Sequence, residues 1–300
     1  MFVPTLTLWS WQLYVALAIN VLVQAIQVGA YAARLAGVRT GRIATSISLF
    51  NLFVTASRLA TLIYTLMLGP LADRAGNAVR ELLPKIPHVP PSSLAQIAIA
   101  HVQHTFELQL RLIIVAGTLG TILGSLLLPM FTYMYVRGVR SFERTRSLPH
   151  SLARLFHPRV VLDILRHIRV PALRELLSFS PRHIPKRLLV FNVVVTGIYA
   201  IGVVAAYYAS VLDVNVARTA IGISGIINGI GTVAFTFFVD PTSSIIVDEA
   251  VKGERPHEDV KAMVFYLALT AIIGWLLSQF ILWPSAEIIK VVAHLVNHGR

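Results

Sequence analysis

The chain has no cysteine. Disulfides, thiolate nucleophiles and cysteine-held metals are excluded with it. Charge is also scarce: Asp, Glu, Lys and Arg make up 13% of 300 residues, about half the ~25% of a soluble domain. Acids are scarcest, 14 against 26 Lys and Arg, for a net charge of +12. The excess is concentrated in one stretch, 137–187, so it is not a general nucleic-acid signature, and no nucleic-acid partner is expected. There is no Walker motif, no GxSxG and no pair of carboxylates within an apolar run. No catalytic residue, metal ligand or cofactor is nominated. What is abundant is apolar: 56% of residues are hydrophobic and the mean hydropathy is +0.71. The N-terminal MFVPTLTLWSW has no basic n-region and no small-residue cleavage site, so it reads as the entry to a first span.

Six apolar runs are long enough to cross a ~30 Å hydrocarbon core as helices. They cover roughly 8–32, 43–68, 112–136, 188–210, 220–239 and 262–282. Pro70, Pro241 and Pro284 are expected to close the second, fifth and sixth. The fold class is therefore all-α: a polytopic membrane protein, residues 1–300 forming a single membrane domain. Three spans per half is an odd number, which makes two inverted three-helix halves an option. Lys and Arg crowd two loops, 33–42 and 137–187, and are thinner on the other side. Both basic loops are thus expected in the cytoplasm and both termini outside.

Three extramembrane regions follow. Residues 71–111 form an outer loop and helix, with a proline-rich centre, LPKIPHVPPSS, and Ser92 or Ser93 as a helix cap. Residues 137–187 form a basic cytoplasmic loop with amphipathic helices. There Val161, Ile164, Leu165 and Ile168 share one helical face, and Arg159, Arg166 and Arg169 the other. That pattern suits a helix lying on anionic membrane lipids at a substrate entrance. Residues 283–300 are expected to be a C-terminal interfacial helix.

Within the spans, polar residues stand out. Arg58 lies mid-span, where a charge costs about 2.5–3.5 kcal/mol. It is expected to be buried, and no acidic residue lies inside a span to neutralise it. A structural pair with a helix-terminal carbonyl or a distant acid, or snorkelling toward one face, is the plainer alternative. A bound anion is the sharper one, since a guanidinium grips phosphate bidentately. Asn20, Gln24 and Gln27 follow i, i+4, i+7 spacing and form one polar stripe. Gln12 also lies in the first span and Asn192 in the fourth, while Asn51 and Asn228 lie in the second span of each half. These amides either bond helix to helix or line a hydrophilic groove for sugars and peptide amides. Gly222, Gly225, Gly229 and Gly231 permit an unwound segment, although GxxxG packing through Gly225 and Gly229 is the simpler reading. HVQHTFE, with His101, His104 and Glu107, is not HExxH and reads as the polar face of an outer helix.

Four segments, in order, resemble the Amj (alternate to MurJ) family of lipid II flippases. They are YAARLAGVRTGRIATSISLFNLFVTASRLA (31–60), GTILGSLLLPMF (120–131), FNVVVTGIYAIGVVAAYYAS (191–210) and ARTAIGISGIINGIGTVAFTFFVDP (217–241). The resemblance implies transport of lipid II, an undecaprenyl diphosphate bearing a disaccharide-pentapeptide, across a bacterial inner (plasma) membrane. It supplies no residue role. The residues fit that cargo: Arg58 for the diphosphate, the amides for glycan and peptide. A membrane enzyme acting on polyprenyl phosphates and a non-transporting cell-envelope scaffold are the rival classes. A homo-oligomer is left open.

Overall fold

The computed structural model describes residues 6–83, 94–147, 157–166, 168 and 179–298, and among them all regular structure is helical. Helix α1 (Trp11–Gly29) starts at Ser10, whose hydroxyl accepts the Leu13 N–H at 3.3 Å. It runs into α2 (Ala32–Thr40), which stops at Gly41 in the left-handed region, φ +67°, where glycine carries no Cβ penalty. The turn reverses the chain into α3 (Ile43–Leu82). Helix α4 (Leu94–Leu126) breaks at Leu127, and α5 (Leu128–Thr145) resumes with Pro129 in its first turn, where a missing N–H costs nothing. Then come α6 (Pro158–Arg166), α7 (Lys186–Leu212), α8 (Ala217–Ala234), a π-helical turn (Phe235–Val239), α9 (Asp240–Val251) and α10 (His257–His298). Six stretches are long and apolar enough to cross a membrane: Trp11–Thr40, Ile43–Leu82, Leu94–Leu126, Lys186–Leu212, Ala217–Val251 and His257–Asn297. The chain is an all-α polytopic membrane protein.

Several boundaries differ from expectation. Pro70 and Pro284 lie inside α3 and α10 and do not end them. Both helices continue because an apolar stripe continues: Leu68, Leu71, Ala72 and Ala75 on α3, and Leu282, Ala286, Ile289 and Ala293 on α10, are all buried. Tertiary packing holds the turn that proline weakens. The C-terminal segment is therefore an extension of α10 rather than a separate interfacial helix. Pro241 likewise sits in the first turn of α9, just after the π turn, so the fifth span does not stop there. The run 112–136 is split by the break at Leu127, and the third span begins at Leu94. In the basic loop, α6 ends at Arg166, so Ile168 lies past its end and is exposed. Tyr133 Oη donates to Asp163 Oδ2 of α6 at 2.8 Å, and Arg137 pairs with the same carboxylate, which ties α6 to α5. Ser92, Ser93 and Arg169 lie outside the described residues.

The two halves repeat one packing scheme. Helix α1 packs on α4 and α3; α7 packs on α10 and α8. In each half an asparagine of the first helix donates to a carbonyl of the third: Asn20 Nδ2 to Ile113 O, and Asn192 Nδ2 to Leu267 O, both 2.8 Å. In each half a glycine seven residues further on meets the first helix one residue after that asparagine. A Cβ on Gly120 would lie 2.3 Å from Val21 O, and one on Gly274 would lie 2.9 Å from Val193 O. The end of α1 meets the start of α7, where Tyr31 Oη donates to Asn192 Oδ1 at 3.1 Å, so the halves run antiparallel. This is the pattern of inverted repeats.

Burial then separates core from periphery. The apolar windows of the second and fifth spans are only 17% and 6% buried, against 50–56% for the other four. Leu59, Leu62, Ile63 and Leu66 of α3 and Ile226, Ile230 and Val233 of α8 are exposed, as lipid-facing residues are. Gly222, Gly225 and Gly229 have nothing within 4 Å of an added Cβ. The expected GxxxG contact of the fifth span is therefore not made among the described residues. The close glycine contact is made by Gly120 and Gly124 of α4 against α1 instead.

Candidate functional site

A cavity of about 710 Å³ lies between the halves. Equivalent positions of the two halves line it: Gln24, Gln27 and Val28 on α1 with Tyr31 just past its end, and Thr196, Tyr199, Ala200 and Val203 on α7, each 172 positions later. The remaining walls come from α2, α3, the α8–α9 rod and two residues of α10. Helix α3 packs on α1, α2, α4, α5 and α7, and α8 packs on α7 and α10. No appreciable α3–α8 interface forms among the described residues. Exposed lining residues mark the mouth there: Asn51, Thr55, Arg58 and Leu62 on α3, and Thr236 on the π turn. The cavity thus opens sideways between the second and fifth spans.

The six polar residues nominated for the substrate, Arg58, Asn51, Asn20, Gln24, Gln27 and Asn228, all line this one cavity, whereas the other two span amides, Gln12 and Asn192, do not. They divide by what holds them. Asn20 and Gln24 are structural in part: Asn20 bonds Ile113 O, and Gln24 Nε2 donates to Asn20 Oδ1 at 3.1 Å. Among the described residues Arg58, Asn51 and Gln27 have no hydrogen-bond partner, and Arg58 has no ion-pair partner. The oxygen of Asn228 is buried against α7 without a donor. Arg58 is not buried, as expected, but exposed on the cavity wall. Its position follows from α3, whose outer face goes to lipid while Ser57 and Tyr64 turn inward and are buried.

The cavity also holds charges that sequence reasoning missed. Arg34, assigned to a loop, lies within the first span with its side chain only 9% exposed. Its Nη2 donates to Asp240 Oδ1 at 2.8 Å and its Nε to Ser243 Oγ at 3.1 Å. Tyr31 and Phe50 flank the guanidinium, their ring centroids 5.5 and 5.0 Å from Cζ. Its Nη1 is buried without a partner, an omission worth about 1–3 kcal/mol for a donor, and more for a charged one. The expectation that no acid lies inside a span is thus overturned: Asp240 lies within the continuous Ala217–Val251 span and lines the cavity. Arg58 and Asp240 line the same cavity. The signal was present in sequence. Arg34 is followed by Leu35, Ala36 and Val38, and Asp240 by Ile245, Ile246 and Val247, so apolar residues flank both charges on both sides.

The remaining candidates sit elsewhere. Arg159 and Arg166 are exposed on α6, away from the cavity. His101 and His104 are exposed on α4, while Glu107 turns inward. Its carboxylate pairs with Arg111 Nη2 at 2.6 Å and accepts from Tyr208 Oη at 3.0 Å. Arg111 Nη1 in turn donates to Gln279 O at 2.8 Å, tying α4 to α10.

A family model described as Amj, alternate to MurJ, matches residues 19–293, a range that includes every residue lining the cavity. A curated protein of Bacillus subtilis (strain 168) named lipid II flippase Amj is 33% identical over 266 residues, 88% of this chain and 90% of its own length. No solved structure matches the chain.

Proposed function

This chain belongs to the Amj (alternate to MurJ) family, and from that premise we propose how its cavity carries the family's cargo. The protein is a lipid II flippase, a transporter that moves the undecaprenyl-diphosphate-linked peptidoglycan precursor from the cytoplasmic to the outer leaflet. The observation that carries the mechanism is the sideways mouth with Arg58 at its edge. A polyprenyl tail stays in lipid between α3 and α8, while the headgroup enters the cavity. Arg58 holds the diphosphate through its two-pronged guanidinium. Asn51, Gln27 and Asn228, together with the stripe of Asn20 and Gln24, offer amide hydrogen bonds to sugar hydroxyls and peptide groups. Clefts of ~300–1,000 Å³ suit drug-sized ligands. A disaccharide-pentapeptide is larger, so the α8–α9 rod moves outward when the whole headgroup passes.

The end of the bundle at Gly41, Lys186 and the α9–α10 turn faces the cytoplasm of a bacterial inner membrane, and both termini lie outside. Arg159 and Arg166, with Arg169, lie against anionic lipids there and concentrate the anionic substrate near the entrance. The purified protein in liposomes, given labelled lipid II, tests the reading. Wild type should move lipid II and leave it chemically unchanged. Arg58→Met removes a charge that costs stability, so it should fold as well as wild type. It should lose about 1.5–3 kcal/mol of interaction with the diphosphate, a ~10- to 150-fold fall in transport at limiting substrate. Full transport by a folded Arg58→Met protein, or modified lipid II, would overturn it.

A further inference from the structure

The charged residues lining the cavity are Arg34, Arg58 and Asp240, two cations and one anion. By helix rise, Arg34 lies six residues, about 9 Å, from the Gly41 end of α2, and Arg58 lies fifteen residues, about 22 Å, from the same end of α3. The two arginines therefore stand at successive depths along one wall. An arginine kept only for structure would spend its donors on protein. Arg34 does not: Asp240 engages one terminal nitrogen through one oxygen, Ser243 takes Nε, and Nη1 is left buried without an acceptor. Of the two edges that can grip a phosphate in parallel, Asp240 and Ser243 share the Nε–Nη2 edge, and the Nη1–Nη2 edge is only half occupied, by Asp240. The aromatic rings of Tyr31 and Phe50 hold the guanidinium in place whether or not Asp240 is there.

Asp240 stands where the backbone is least regular. Its N–H donates to Phe235 O, five residues back, and Pro241 follows it. π turns of this kind are frequent at functional sites, and they loosen the regular ladder of the helix that carries them. The acid therefore sits at an irregular joint of its span rather than within a regular helix.

We propose that Arg34 is a second phosphate-binding group of the cavity, reached before Arg58 and held in reserve by Asp240. The diphosphate of the lipid substrate takes Arg34 from Asp240 on entry, and Asp240 reclaims it when the diphosphate moves on to Arg58. The pair acts as a latch between α2 and α9 that opens only for a competing anion. This deepens the flippase reading and rests on it.

Three proteins test the latch: wild type, Asp240→Asn and Arg34→Gln/Asp240→Asn. Binding of undecaprenyl diphosphate, and separately of inorganic pyrophosphate, is measured in detergent, and lipid II translocation is measured in liposomes. Asparagine keeps an oxygen for Arg34 but removes the competing charge. Asp240→Asn should therefore bind both probes more tightly, by about tenfold, yet translocate more slowly because release from Arg34 is no longer assisted. The double variant should lose the gain. Unchanged affinity in a folded Asp240→Asn protein, or a gain that survives loss of Arg34, overturns the latch. A gain confined to inorganic pyrophosphate overturns the lipid substrate as its opener. Failure of the flippase reading looks different, because wild type itself would then not move lipid II.

Discussion

Gly124→Ala tests the packing that holds the cavity's first wall. A Cβ on Gly124 would stand 2.5 Å from Ala25 O and 2.8 Å from Ala25 Cα. These are backbone atoms and cannot rotate away, so α1 must retreat by roughly the shortfall from contact, close to 1 Å. Overpacking of this kind costs about 1–3 kcal/mol. The same retreat stretches the 2.8 Å bond from Asn20 to Ile113 O, which adds about 0.6 kcal/mol at a typical interhelical value. The expected total is about 2–4 kcal/mol. Gly120→Ala meets the same helix, so the double variant should cost less than the two single costs combined. Gly225→Ala is the control. Its Cβ meets nothing within 4 Å, and alanine is worth up to ~1 kcal/mol over glycine within a helix. Thermal unfolding in detergent should therefore show Gly124→Ala clearly lowered and Gly225→Ala unchanged or raised. Equal stabilities for Gly124→Ala and wild type, or equal losses at Gly124 and Gly225, would refute the argument.

Three further outcomes follow from the same structure. Asn192 bonds Leu267 O and Thr270 and accepts from Tyr31, whereas Asn20 bonds Ile113 O and Gln24. Asn192→Leu should thus cost more thermal stability than Asn20→Leu, by about one interhelical bond, ~0.6 kcal/mol. Replacing Arg159 and Arg166 with Gln removes about 1 kcal/mol of surface attraction each. Capture of lipid II by liposome-bound protein should fall at low salt and little at high salt, and equal losses would count against an electrostatic entrance. In the cysteine-free chain, Ser93→Cys should label with an impermeant thiol reagent in intact cells and Ser147→Cys should not. The reverse would invert the topology.

The sequence revealed the spans and the polar wall of the cavity, because both are local. Hydropathy marks a crossing helix, and the i, i+4, i+7 spacing of Asn20, Gln24 and Gln27 puts them on one face wherever that helix lies. What failed was long-range. Whether Pro70 ends a helix depends on Leu71 and Ala75 finding partners, which no local rule reports. The choice between Gly225 and Gly124 as the close contact depends on which helix each meets. Arg34 and Asp240 are 206 positions apart, and each read alone as an ordinary loop charge. The repeat was hidden because few residues carry it. Asn20 and Val21 match Asn192 and Val193, and Gly120 matches Gly274, but the residues between them diverge.

Helices α3 and α10, of 40 and 42 residues, rise about 60 Å, twice the ~30 Å of a hydrocarbon core. The surplus lies at the end bearing the termini, where Ala75, Val79, Val102, Ala286, Ile289 and Ala293 continue one buried cluster beyond the apolar runs. Between helices in hydrocarbon there is no hydrophobic drive to associate. In water there is, at about 25 cal/mol for each Å² of apolar surface removed. The protruding end is accordingly knit by solvent, while the end holding Arg34 and Asp240 relies on weaker packing in lipid. One set of helices thus serves as a handle at one end and as the frame of the cavity at the other. Shortening the handle should loosen the helices around the cavity without touching a residue that lines it.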